Sequence, residues 1–149
     1  FCIEDYVVVH DAGRALNRMI VDGQIIGGVA DGIGGAMLSE MVYDEDGQPL
    51  AGSLADYLVA TATEIPRIRV VHLDSPSGTN ALGVRPVGEG GIIPVAAALT
   101  NALARAIDPN KTGHELPLFT LPLKPERIYA ACRLAAENAA RGRRGAGIR

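Results

Sequence analysis

Aromatic residues are nearly missing from this chain of 149: it has no tryptophan, two phenylalanines and four tyrosines. The core must therefore be aliphatic, and the stacking platforms that hold single-stranded nucleic acid are not present in number. Cysteine is equally sparse. Cys2 and Cys132 stand alone, which excludes a C-x-x-C redox pair, a zinc ribbon or an iron–sulfur ligand set in this chain and makes a reducing compartment, the cytoplasm, the expected location. No apolar run reaches the roughly 18 residues that cross a bilayer and no basic-then-apolar leader precedes the first strand, so no membrane partner is expected. Positive charge is in deficit too: 14 Lys and Arg against 17 Asp and Glu give a net −3, with no overall pull toward nucleic acid. The single basic cluster, Arg141, Arg143, Arg144 and Arg149 among glycines, reads either as a solvated, flexible tail over 141–149 or as an anion-docking one.

What is present is aliphatic and glycine-rich: 48% of residues are apolar and 18 are glycine. The length suits one domain, expected over 1–140. Tyr6–Val9 reads as a strand running into a turn at Gly13. Asn17 is a candidate N-cap, and apolar residues from Met19 to Leu38 recur at helical spacing to about Glu40. That helix carries Gly23, Gly27, Gly28, Gly32, Gly34 and Gly35, each costing about 1 kcal/mol against alanine in an exposed helix. So many imply something packed close against its backbone. Met41–Tyr43 and Gln48–Leu50 flank a D-G turn and read as a short hairpin. Arg69–Leu73 is a second β-rich run. A long polar loop covers Asp74–Gly91, a length uncommon without function. Pro94–Ile107 reads as an Ala-rich helix closed by Asp108-Pro109, and Pro125 opens a last amphipathic helix to about Ala140. Strands and helices do not alternate regularly, so the expected class is α+β, a mixed sheet with packed helices.

Several chemistries find no support. His10, His72 and His114 are scattered without metal-ligand spacing, so no protein-borne metal site is expected. No G-x-S-x-G, Walker A or complete G-x-G-x-x-G is present. Two segments remain. In Gly88-Glu89-Gly90-Gly91 one carboxylate stands between residues with no Cβ to crowd an approaching group. Glu89 fits two descriptions, an acid favoured by the positive end of the following helix or a general base, which needs a positioned carboxylate with its pKa lifted by burial. In Gln24-Ile25-Ile26-Gly27-Gly28 an amide with two donors and an acceptor adjoins glycines that would let a planar ligand lie on the backbone. An exposed Gln beside a close helix contact fits equally well.

Taken in order, Q-x-x-G-G-x-x-x-G-I-G from Gln24, G-V-R-x-V-G-E-G-G from Gly83, and L-P-L-x-P-E-R-I from Leu121 resemble the C-terminal part of the molybdenum-binding large subunit of the xanthine dehydrogenase, aldehyde oxidase and aerobic carbon monoxide dehydrogenase family. Further matching pieces are D-x-G-R-x-x-N at Asp11–Asn17, Y-D-E-D-G-Q at Tyr43–Gln48, D-Y-L at Asp56–Leu58 and S-P-x-x-x-N-x-L-G-V at Ser75–Val84. The resemblance runs from about Val7 to Ala131. It implies a molybdopterin-binding fold and an oxidoreductase that adds water-derived oxygen to an aldehyde, an N-heterocycle or a similar carbon centre. It implies Glu89 as the catalytic base, and Gln24, Gly27, Gly28, Gly88 and Gly90 as cofactor-binding positions. The implied cofactor is molybdopterin with molybdenum, as the cytosine dinucleotide, with no iron–sulfur cluster or flavin in this chain. Implied partners are the remainder of the molybdenum subunit, iron–sulfur and flavin subunits or domains, and a small-molecule substrate.

Three positions depart from the family pattern: Pro86 where glycine is usual, Asp31 where glutamine is frequent, and Arg18 where proline commonly follows the asparagine. Pro86 fixes φ and removes a donor three residues before Glu89. These departures motivate the competing expectation, a non-catalytic assembly domain that keeps the fold without a working molybdenum site. The chain starts at Phe1 and is short for the family, so it reads as a fragment or as a split subunit completed by another chain.

Overall fold

A computed structural model describes residues 2–109 and 116–145, with side chains through 141. Two β-branched runs become strands β1 (Asp5–His10) and β2 (Arg67–His72), as residues that suit a pleated, half-buried surface tend to do. They pair in parallel, Asp5 opposite Arg67 through His10 opposite His72. Val8 is buried, with Tyr6, Ile68 and Val70 packed on the same core, while Val7, Val9 and Val71 face outward.

Between the strands lies helix α1 (Arg18–Met37), and a parallel pair requires a crossover of this kind. The class is α+β as expected, helices packed on a small sheet, but among the described residues that sheet is a two-stranded parallel pair and not a mixed one, and the first three elements do alternate. The regularity was hidden because α1 and β2 are separated by residues 38–66, which contain turns but no helix or strand. The expected hairpin there reduces to a single antiparallel bridge, Tyr43 to Pro49, closed by Leu50 N–H to Val42 O at 2.7 Å, with Gly47 at φ 81° in the turn. Asp44 N–H to Gln48 O at 3.0 Å flanks the same bridge on its turn side.

Asn17 caps α1 as expected: its Oδ1 accepts from Ile20 N at 3.2 Å, worth about 1 kcal/mol. Val21, Ile25, Val29, Ile33 and Ala36 line the core. The helix stops at Met37, short of Glu40: Leu38 N–H makes the last regular i→i−4 bond to Gly34 O, and Ser39 N–H turns back to that same carbonyl. Its glycines fall into three groups, with Gly34 between the extremes, where a Cβ would stand an ordinary 3.6 Å from Ala60 Cβ. A Cβ on Gly32 would fall 2.7 Å from Val95 Cγ2, and one on Gly28 would fall 3.0 Å from Ile92 N, so close packing explains both. Gly23, Gly27 and Gly35 have nothing within 4 Å of that position, and close packing does not account for them.

Helix α2 (Val95–Ile107), flanked by Pro94 as its N-cap, buries Val95, Leu99 and Leu103. Helix α3 starts at Pro125 and runs to Gly145, beyond the expected end near Ala140. The backbone of the first part of the basic tail is therefore helical; the side chains of Arg143 and Arg144, and Arg149 entirely, lie outside the described residues, as does His114. The L-P-L-x-P-E-R-I segment is a clasp between α1 and α3. Leu123 is buried and its N–H donates to Ala36 O at 2.7 Å; the Leu121–Pro122 peptide is cis. Arg127 Nη1 donates to Pro122 O at 2.7 Å, while Lys124 and Arg127 flank the Glu40 carboxylate. Lys124 holds the Glu40 pKa below its ordinary range.

Candidate functional site

Ligands of sheets with parallel strands gather beyond the carboxyl ends of those strands. Here three segments leave or reach that end: Asp11–Arg14 after β1, Leu73–Gly91 after β2, and the first turns of α1. Asp11 ties the first two together. Its Oδ1 accepts from Gly13 N at 2.9 Å and from Ser75 N at 3.2 Å, and its Oδ2 lies 3.3 Å from Arg85 Nε. The Gly13 amide, then the Ser75 amide and the Arg85 guanidinium, hold the Asp11 carboxyl below the usual aspartate range.

Backbone hydrogen bonds complete the junction: Arg14 N–H to Gly83 O at 2.9 Å and Arg85 N–H to Ala12 O at 3.0 Å. Gly13 and Gly83 both have positive φ, 62° and 68°, a conformation open to glycine at little cost. Asn80 closes the loop on itself, donating from Nδ2 to Val84 O and accepting at Oδ1 from Val84 N. The D-x-G-R and S-P-x-x-x-N-x-L-G-V motifs are thus two halves of one staple that delivers the chain to Gly88.

The next residues form successive turns. Gly90 N–H donates to Val87 O at 3.1 Å, and Glu89 O accepts from Ile92 N at 3.2 Å and Ile93 N at 3.3 Å. Gly91 sits directly on the Ile25 carbonyl, and Gly28 faces Gly91 and Ile92. The Gln24–Gly28 and Gly88–Gly91 segments, distant in sequence, therefore meet backbone to backbone.

The expected site residues are arranged as follows. Glu89 and Gln24 are exposed, and neither side chain hydrogen-bonds to a described residue. Glu89 precedes the α2 N-cap by a turn, and α2 has no acid in its first turn, so the helix-terminus description does not hold. Burial, which the general-base description called for, is absent as well. Gly27 and Gly88 are open, with nothing within 4 Å of a Cβ, whereas Gly90 packs tightly on His10. Asp31 and Pro86 are both exposed.

The strand register also brings together residues that looked scattered. His10 and His72 are cross-strand partners at the carboxyl end of the sheet. His72 Nε2 lies 2.6 Å from Asp22 Oδ1 on α1, and His72 Nδ1 and His10 Nε2 are buried without a partner. No group of His, Cys, Asp and Glu able to hold a metal exists among the described residues, and none of their helices is long and apolar enough to cross a membrane. Nothing in the linear spacing of the histidines would have found this pair; only the parallel register does.

Residues 1–66 match the family described as "Molybdopterin cofactor-binding domain". The chain is 41% identical over 123 residues to the 6-hydroxypseudooxynicotine dehydrogenase complex subunit gamma of Paenarthrobacter nicotinovorans, covering 82% of this chain and 15% of that protein. It is 38% identical over 128 residues to the xanthine dehydrogenase molybdenum-binding subunit of Escherichia coli O157:H7, covering 85% and 16%. Among solved structures, quinoline 2-oxidoreductase from Pseudomonas putida superposes with a TM-score of 0.80 at 36% identity, over 89% of this chain and 16% of that one. The chain thus spans about one-sixth of the length of the relatives it matches.

Proposed function

Since the chain belongs to the family of molybdenum-binding large subunits of the xanthine dehydrogenase, aldehyde oxidoreductase and carbon monoxide dehydrogenase type, we propose that it forms the wall of a molybdenum hydroxylase site in which Glu89 is the general base and Gln24 a cofactor contact. The observation that carries this reading is the backbone meeting of the Gln24–Gly28 turn with the Gly88–Gly91 turn, through Gly91 on Ile25 and Gly28 on Ile92. It presents one free carboxylate and one free amide from adjoining turns.

The residues fit a molybdopterin group. Gly27 and Gly88 leave bare backbone on either side of the packed Gly28–Gly91 contact, and the Gln24 amide supplies two donors and an acceptor. When bound, the cofactor, as the cytosine dinucleotide, supplies the oxygen-transfer and two-electron chemistry. The protein's part is narrower: Gln24 would hold and orient the group, and the Glu89 carboxylate would accept a proton as oxygen is added to the substrate carbon. Further segments of the subunit would cover Glu89 and exclude water from it, and burial of that kind raises a carboxyl pKa toward the range a general base needs. Iron–sulfur and flavin subunits or domains would carry the electrons away, in the cytoplasm, and the substrate is an aldehyde, an N-heterocycle or a similar carbon centre.

The test is Glu89→Gln in the assembled enzyme. Loss of a positioned base lowers turnover by about 10²- to 10⁴-fold while molybdenum content stays near that of the parent. Parent-like rates would remove Glu89 from the mechanism. Absence of both molybdenum and pterin from the intact parent assembly would favour the non-catalytic reading.

A further inference from the structure

The turn bearing Glu89 is supported on two sides, and the two supports differ in kind. Gly91 rests on main chain, the carbonyl of Ile25. Gly90 rests on a side chain: the three atoms nearest to where its Cβ would stand are all from His10, with Cε1 closest, Nδ1 at 2.8 Å and Nε2 at 3.1 Å. The nitrogen–carbon–nitrogen edge of the imidazole therefore occupies the space that any residue other than glycine would need.

His10 is itself fixed. It is the last residue of β1, in register with His72, and its carbonyl accepts from Leu73 N at 2.8 Å. Its neighbour on the same face of the strand, Val8, is buried in the core. His72 is held in turn by Asp22 of α1 at 2.6 Å. The imidazole thus projects from a backbone that cannot easily retreat. Its Nε2 is buried and has no hydrogen-bond partner, an arrangement that normally costs free energy.

From this geometry we propose that His10 is the positioning residue for Glu89. Its ring edge is the backstop that sets the position of Gly90 and so the direction in which the preceding carboxylate leaves the turn. The function rests on ring bulk: the Nδ1–Cε1–Nε2 edge fills the space beside Gly90, and Nε2 makes no hydrogen bond. The proposal builds on the assignment of Glu89 as base, but its central contact, ring against Gly90, can be tested separately.

The experiment uses the assembled, cofactor-loaded enzyme and four variants: His10→Ala, His10→Phe, Gly90→Ala and the double His10→Ala/Gly90→Ala. Displacing a reacting group by about 1 Å can cost roughly 10²-fold, so His10→Ala should lower kcat by one to two orders of magnitude with KM changed less than threefold. Hydrogen exchange of the peptide covering 87–93 should quicken in the same variant. His10→Phe keeps a ring edge and should retain turnover within threefold and parent-like exchange. Gly90→Ala should be severely impaired, and adding His10→Ala should restore at least tenfold of the loss by vacating the space. Where His10→Ala does not assemble, His10→Asn, which is shorter than the ring, replaces it.

A His10→Phe enzyme as impaired as His10→Ala would overturn positioning by bulk, and so would strictly additive losses in the double variant. If instead Glu89→Gln proves active, the assignment of the base fails, yet exchange over 87–93 and the suppression of Gly90→Ala still decide whether His10 holds the turn.

Discussion

Gly91 lies against the main-chain carbonyl of Ile25, with no space between them for a side chain. The contact joins the helix that carries Gln24 to the turn that carries Glu89, and it involves backbone on both sides, so neither partner can yield by changing a rotamer. Three expectations extend from this junction and from the staple that leads into it.

Gly91→Ala should destabilise the protein by about 1–3 kcal/mol, the usual cost of overpacking, because the new methyl meets the Ile25 carbonyl. Gly88→Ala, only three residues away, should stay within about 0.5 kcal/mol of the parent, as changes at open positions do. Its penalty should appear instead as reduced cofactor loading, since the methyl would occupy backbone left bare. Urea unfolding midpoints and pterin content of the two variants in the full subunit check the contrast.

Gln24→Ala should leave thermal stability unchanged, because the amide makes no hydrogen bond to a described residue. It should speed loss of the cofactor by about twofold to tenfold, the equivalent of one hydrogen bond of about 0.5–1.5 kcal/mol. Molybdenum retained after timed dialysis measures this. Retention equal to the parent would mean that the amide does not touch the cofactor.

Asp11 gives a signature in pH. Its folded pKa is depressed, first by the Gly13 amide and then by Ser75 and Arg85. Such a group stabilises the fold fully above the unfolded aspartate value of about 3.9, and that contribution fades as pH falls through the lower folded value. Asp11→Asn should therefore be less stable than the parent at pH 7, with the difference shrinking below about pH 4. Unfolding midpoints of both proteins from pH 7 to pH 2.5 test the sign; a difference constant over that range would show that charge at Asp11 plays no part.

Much of the architecture was legible because its signals are local. Asn17 stands where an N-cap should, Pro125 opens α3, and the Val7–Val9 and Val70–Val71 runs are strands. What escaped depended on register or on distance. The parallel pairing of β1 with β2 has no trace in either strand, and it alone puts His10 beside His72. The hairpin at Tyr43–Pro49 shrank to one bridge, because Leu50 N–H reaches Val42 O with no return bond from Val42 N–H to Leu50 O. The glycines of α1 look alike in sequence, yet Gly28 and Gly32 meet another element and Gly27 meets nothing. Glu89 was singled out by its bare neighbours, but what presses on Gly90, a histidine from the far end of a strand, has no signal in the linear chain. D-x-G-R and S-P-x-x-x-N-x-L-G-V were recognisable as motifs without revealing that Asp11 clamps one to the other.

The pairing of β1 with β2 carries a consequence for biogenesis. Asp5 finds its partner at Arg67, and at synthesis rates of roughly 5–20 residues per second the first strand waits about 3–12 s before the second exists. During that interval Val7, Val8 and Val9 have no cross-strand neighbour, and long-range parallel pairing is slow even afterward. β1 therefore stays unpaired until β2 has been made, and the histidine backstop can take up its post only after the polypeptide has been made past Gly90.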